Sequence, residues 1–226
     1  MLRQIIAAAA LAGVTAGLLL TAVQHFAVAP LLRAAEVYEE AAIAASPVQA
    51  HGATAPAAPA WSPREGWSRT LATAIANVAL ATGFALLLAA GMTLRLAAGI
   101  RAGLHWGMAG FLVFFVAPSI GLPPELPGSI AAPLHDREIW WVATVAATAT
   151  GFWLIAFGAK PLYRVLGIIV LCAPHLAGAP SAPEQVSAVP SALAWQFLYA
   201  TSGVNAALWL VLGGLVGITL RKESWR

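Results

Sequence analysis

LATAIANVALATGFALLLAAGMTL, residues 71–94, decides the fold. No charged side chain interrupts this run of 24 residues. About 20 apolar residues suffice for a helix to cross a bilayer, and in hydrocarbon only a helix or a closed barrel satisfies every backbone N–H and C=O. The whole composition points the same way. The chain is 60% hydrophobic and 9% charged, whereas a soluble domain carries about 25% charged residues. It has too few polar side chains to cover a water-exposed surface, so the lipid bilayer is its expected surrounding and no nucleic-acid partner is expected.

Working outward, further apolar runs lie at 5–26, 104–120, 139–158, 162–177 and 193–220. The fifth, 162–177, is the shortest. Residues 27–29, Ala-Val-Ala, have the small side chains of a signal-cleavage site, but the 5–26 run outlasts the 7–15 residues of a signal h-region; a retained helix is expected. A short helix is expected over 34–43, with Glu36, Glu39 and Glu40 on one face. The Ala/Pro-rich tract 44–62 reads as a linker. The fold class is therefore all-α: one polytopic transmembrane helix bundle over 1–226, with about six spans.

Six spans put both termini on one side, and the charges say which. That side carries Arg3, Arg95, Arg101, Lys160, Arg164, Arg221, Lys222 and Arg226 against Glu223. The opposite side carries Arg33, Arg64, Arg69 and Arg137 against eight of the nine acidic residues. Basic residues in short loops stay cytoplasmic, so the N- and C-termini are expected inside. Four of the five histidines, His25, His51, His135 and His175, then fall outside, with only His105 inside. An acidic, imidazole-bearing outer face suits a cation.

The polar bridge GLPPELPGSIAAPLHDREIWW, 121–141, concentrates much of that chemistry. Its prolines enforce an extended connector, and Trp140 and Trp141 fit an outer aromatic belt. His25 and His175 sit at span ends, where an ionisable group is costly and marks a pathway or site; His175 also follows Pro174, whose missing N–H loosens the helix. Gly13/Gly17, Gly99/Gly103/Gly107 and Gly213/Gly217 are small-xxx-small spacings that allow close helix contact. Asn77 and Asn205 are candidates for hydrogen bonds between helices. Ala-Thr-Gly-Phe at 81–84 recurs at 149–152, a faint sign of duplication. The lone Cys172 excludes an intrachain disulfide. No GxxxxGK[ST], GxSxG or HExxH occurs, so no enzyme is expected and energy must come from a gradient, the membrane potential or another subunit.

Several stretches together resemble the CbtA family of predicted cobalt transporter subunits. They are His25 with Pro30, Glu36-Val37-Tyr38-Glu39, Trp61-Ser62-Pro63, Gly66, Arg69-Thr70, and above all GLPPELPG at 121–128 followed by Arg137 and Trp140-Trp141. The resemblance implies a multi-pass protein of the bacterial inner membrane that takes up divalent metal, with Co2+ as the transported ion and no tightly bound cofactor. It also implies a small one-helix CbtB-like partner with a His-rich tail. This chain departs from the family pattern in its linker, where a His and acidic cluster is replaced by Ala and Pro with His51 alone. Cobalt(II) accepts imidazole nitrogen and carboxylate oxygen. That makes His25, Glu36, Glu125, His135, Asp136, Glu138 and His175 the candidate metal ligands. The plainer reading of the acidic residues is solvated charge paired with Arg33 and Arg137. A non-transporting accessory subunit of a larger membrane complex is the alternative function.

Overall fold

The computed structural model describes residues 2–44, 66–182 and 187–223. Within them run α1 (Leu2–Ala27), α2 (Ala29–Ala44), α3 (Trp67–Leu94), α4 (Ile100–Phe111), α5 (Ala117–Gly121), α6 (Leu134–Phe157), α7 (Pro161–Ala177) and α8 (Ser191–Glu223). A π-helical turn, Leu112–Val116, joins α4 to α5, so Ile100–Gly121 is one continuous rod. No strand occurs among the described residues. His51, Arg64, Glu65, Trp61-Ser62-Pro63, Glu184, Arg226 and most of the linker lie outside them.

Five helical stretches are long and apolar enough to cross a membrane: Ile5–Ala27, Trp67–Leu94, Ile100–Gly121, Leu134–Phe157 and Ser191–Leu220. The sixth apolar helix among the described residues, α7, is shorter than these five, with 17 residues and a length of about 25 Å at 1.5 Å per residue. It runs back along α6. Near its start Gly167 meets Gly151, and near its end the Pro174 carbonyl accepts the Trp140 indole N–H at 3.3 Å. Trp140 lies in the second turn of α6, so α7 returns to the level from which α6 set out.

Four helices form the core. α1 packs on α3, α4 packs on α8, and α8 also touches α1 and α3. With lipid as apolar as leucine, helices associate through close van der Waals fit, and small residues permit it. α1 turns Ala8, Ala9, Ala12 and Ala16 inward and sets Gly13 and Gly17 against the Thr82 and Val78 backbone of α3. α4 sets Gly103 and Gly107 against Gly213 and the Trp209 carbonyl of α8, and the Gly99 N–H donates to the Gly217 carbonyl at 2.8 Å. These pairings are antiparallel. They place the start of α1, the 95–99 turn and the end of α8 at one end of the bundle. α6 and α7 form a hairpin beside this core, meeting it chiefly through α5 and the π turn.

Three expectations change. α6 begins at Leu134, so His135, Asp136 and Glu138 ride on its first turns rather than in a loop. Trp140 is not a belt residue: only 8% exposed, it is turned into the α6–α7 seam, and Trp141 alone faces outward. The repeated Ala-Thr-Gly-Phe segments sit in helices that pack differently, since α3 pairs with α1 whereas α6 pairs with α7. The outer bridge is extended, as its prolines require, and Leu126 is buried with Ala35 and Val189 in the same cluster as the core. Gly128 turns the bridge at φ +77°.

A Cβ on Gly103 would run into the Gly213 carbonyl, while one on Gly83 would meet nothing within 4 Å. Gly103→Ala is expected to lower thermal stability in detergent by about 1–3 kcal/mol, the usual cost of overpacking, and Gly83→Ala to leave it unchanged. Equal melting curves for the two variants would contradict this seam.

Candidate functional site

At the acidic end of the bundle, α1, α2 and α3 border a pocket of about 260 Å³ lined by Thr21, Gln24, His25, Arg33, Arg69 and Thr73, among others. Its floor is a polar chain between helices. Buried Asn77 donates to the Thr21 hydroxyl at 3.0 Å and to the Gln24 amide oxygen at 2.7 Å, and the Thr21 hydroxyl donates to the Gly17 carbonyl at 2.9 Å. Asn77 thus does what its place in a span suggested. Asn205 instead donates within its own helix, to the Thr201 carbonyl. His25 is exposed at the pocket wall, its ring edge-on to Phe26 at 5.2 Å. Glu36 is half-buried and engaged by the Arg69 guanidinium.

A second cavity at this end, about 370 Å³, opens between the π turn, the bridge and α6. Glu125 from the bridge and Glu138 from α6 both line it, with Arg137 between them. Arg137 holds Glu125 at 3.0 Å, the two side chains 31% and 27% exposed. A partly sheltered pair of this kind fixes the bridge on α6 more than it stabilises the fold. His135 and Asp136 are exposed. Asp136 lies in the first turn of α6, where the helix dipole favours a carboxylate.

The third feature is the α6–α7 seam. His175 is half-buried with its ring edge-on to Trp140 at 6.0 Å. Below it, Trp140, Thr144, Thr148 and Gly151 form the buried stripe of α6. The Trp140 and Gly151 contacts show that this stripe faces α7. Thr144 and Thr148 are 0% and 2% exposed, and neither hydroxyl has a hydrogen-bond partner among the described residues. A buried hydroxyl in hydrocarbon costs about 1–3 kcal/mol when left unpaired. Sequence reading passed over both threonines. The signal was their i, i+4 spacing in line with Trp140 and Gly151.

The candidate ligands are therefore distributed over three places: His25 and Glu36 around the first pocket, Glu125 and Glu138 on the second, His175 in the seam. Among the described residues no three His, Cys, Asp or Glu come close enough to hold a metal ion. Two of the carboxylates, Glu36 and Glu125, already face a guanidinium.

The family model described as "Probable cobalt transporter subunit (CbtA)" matches residues 2–221, nearly the whole chain, and the chain belongs to that family. No curated protein and no solved structure matches it.

Replacing Thr144 and Thr148 by valine keeps the shape and removes the unpaired hydroxyls. The double variant is expected to melt higher in detergent, by up to about 2 kcal/mol of stability. A lower melting temperature would mean that the hydroxyls hold structural partners.

Proposed function

We propose that this CbtA-family protein is a bacterial inner-membrane subunit that takes up a divalent cation, with cobalt(II) as the ion. What supports this reading, beyond the family, is the sorting of charge between the two ends of the bundle. The basic end carries Arg95, Arg101, Lys160 and Arg164, and the acidic end carries Glu36, Glu39, Glu40, Glu125, Asp136 and Glu138. With the basic end in the cytoplasm, a cation meets carboxylates first.

Capture starts at the Glu125–Glu138 cavity. There a divalent ion displaces Arg137 from Glu125, exchanging one cation for another without leaving a bare carboxylate. His135 is exposed on the first turn of α6, while His25 at the first pocket and His175 in the seam offer softer nitrogen ligands at separate places. The route inward follows the α6–α7 seam, where the Thr144 and Thr148 hydroxyls offer oxygen within the apolar layer. Pro174 cannot complete the helix bond to the Val170 carbonyl, which adds a further oxygen. In the core, α4 and α8 meet through glycine backbones and the polar groups between α1 and α3 are bonded to one another. An inside-negative potential of 100 mV favours entry of a divalent ion by about 4–5 kcal/mol. As a family of subunits, CbtA implies a further membrane chain, and a small His-rich single helix is the partner proposed here.

Cobalt accumulation in cells expressing the chain, alone and with that partner, tests the reading. Glu125→Gln with Glu138→Gln is expected to lower accumulation by roughly tenfold or more, the scale on which lost supporting groups weaken a metal site. No accumulation above background in either condition would favour a non-transporting accessory subunit. Full uptake by the double variant would place capture elsewhere.

A further inference from the structure

At the basic end lies a third cavity, about 370 Å³, whose walls are aromatic: Trp106, Phe114, Phe152, Trp153, Phe157 and Trp209, with Leu87 and Leu88 of α3 behind them. The rings are organised. Phe157 stands edge-on to Trp153 at 4.8 Å and stacks with Trp106 at 6.4 Å. Phe114 stacks on Trp209 at 5.4 Å. The cavity lies between the four-helix core and the α6–α7 hairpin and is open toward lipid.

Its length limits what can fill it. On α6 it runs from Ala149 to Phe157 and on α4 and the π turn from His105 to Phe114, about 12–14 Å at the helical rise. The hydrocarbon core is about 30 Å thick, so the cavity reaches through one leaflet and stops. A transmembrane helix from a partner would need twice that length. An acyl chain from the nearer leaflet needs no more.

The mouth carries the charge. Phe157 is the last residue of α6, and the Arg95 guanidinium lies over its ring at 4.0 Å and over Trp153 at 5.9 Å. Arg95 is exposed beyond the rings, as are Arg101, Lys160 and Arg164 at the same end of the bundle. The sequence places a single acidic residue, Glu223, at this end. His105, five residues into α4, lines the cavity and has no hydrogen-bond partner among the described residues.

We propose that this cavity binds one acyl chain of an anionic phospholipid from the basic-end leaflet, with its phosphate held by Arg95 and the neighbouring cations. A guanidinium binds phosphate through paired N–H donors, and basic surfaces at the inner ends of transmembrane helices recognise anionic headgroups. The lipid wedges between core and hairpin, where the protein's own contacts are few. This assignment does not depend on metal transport.

The test uses tryptophan quenching in phosphatidylcholine nanodiscs carrying the full chain and a small fraction of lipid brominated on its acyl chains. Brominated phosphatidylglycerol is expected to quench more than brominated phosphatidylcholine at equal fraction, from an enrichment of roughly fivefold for each basic group engaged. The excess should vanish in Arg95→Gln and shrink in Trp153→Phe, which removes a reporter while keeping an aromatic wall. Equal quenching by the two lipids in the wild-type protein would overturn the proposal without reliance on any variant. An excess that survives both substitutions would place the anionic lipid elsewhere and overturn it too. Cobalt accumulation is not a readout of this experiment, so its outcome and that of the transport reading are separable.

Discussion

The structure depends on one seam, where α4 and α8 meet backbone to backbone. Gly99, Gly103 and Gly107 face Gly213 and Gly217 so closely that a methyl group on Gly103 or Gly213 has no room. In a bilayer no hydrophobic gain drives helices together, so proximity of this kind is the source of adhesion. The seam fixes Trp209, whose ring lies on Gly110 and against Phe84 and Phe114 at 4.6 and 5.4 Å. That aromatic cluster in turn sets the wall between core and hairpin. Phe114 lines both the cavity at the acidic end and the one at the basic end.

Against this core the α6–α7 hairpin is the lightly attached part, and it carries polar features of its own. Glu125, Arg137 and Glu138 sit at its acidic-end edge, His175 and the unpaired Thr144 and Thr148 hydroxyls in its seam, and Arg95 reaches its basic end. Among the described residues three buried threonine hydroxyls lack partners, Thr144 and Thr148 in the hairpin and Thr201 on α8. A protein that must pass an ion needs oxygen atoms that are not otherwise committed. The same sparse attachment leaves space for lipid on the basic side.

Much of the fold was legible because a bilayer imposes a simple code. Apolar runs marked the five spanning helices and the shorter α7, and the charges separated the two ends of the bundle. The glycine spacings marked close contacts, and Asn77 announced a bond between helices. What stayed hidden was pairing. Nothing local says that α3 prefers α1 to its neighbour α4, or that Glu36 meets Arg69, 33 residues away. The start of α6 was missed although Pro133 and the first-turn Asp136 signal a helix beginning there; the polar residues masked the apolar pattern. Trp140 was misread for the same reason: belt and seam tryptophans look alike until the partner helix is in place. The seven candidate ligands were found by residue type and side of the membrane. Their separation into three places could not be read, because it depends on which helices adjoin.

The account turns on which way the acidic end faces. Single cysteines placed on a Cys172→Ser background report this directly: Ser129→Cys in the outer bridge and Ala98→Cys in the 95–99 turn, challenged with a membrane-impermeant maleimide. The account requires Ser129→Cys to react in intact cells and Ala98→Cys only after permeabilisation. The reverse pattern would put the carboxylates in the cytoplasm and contradict capture of an incoming cation at that end.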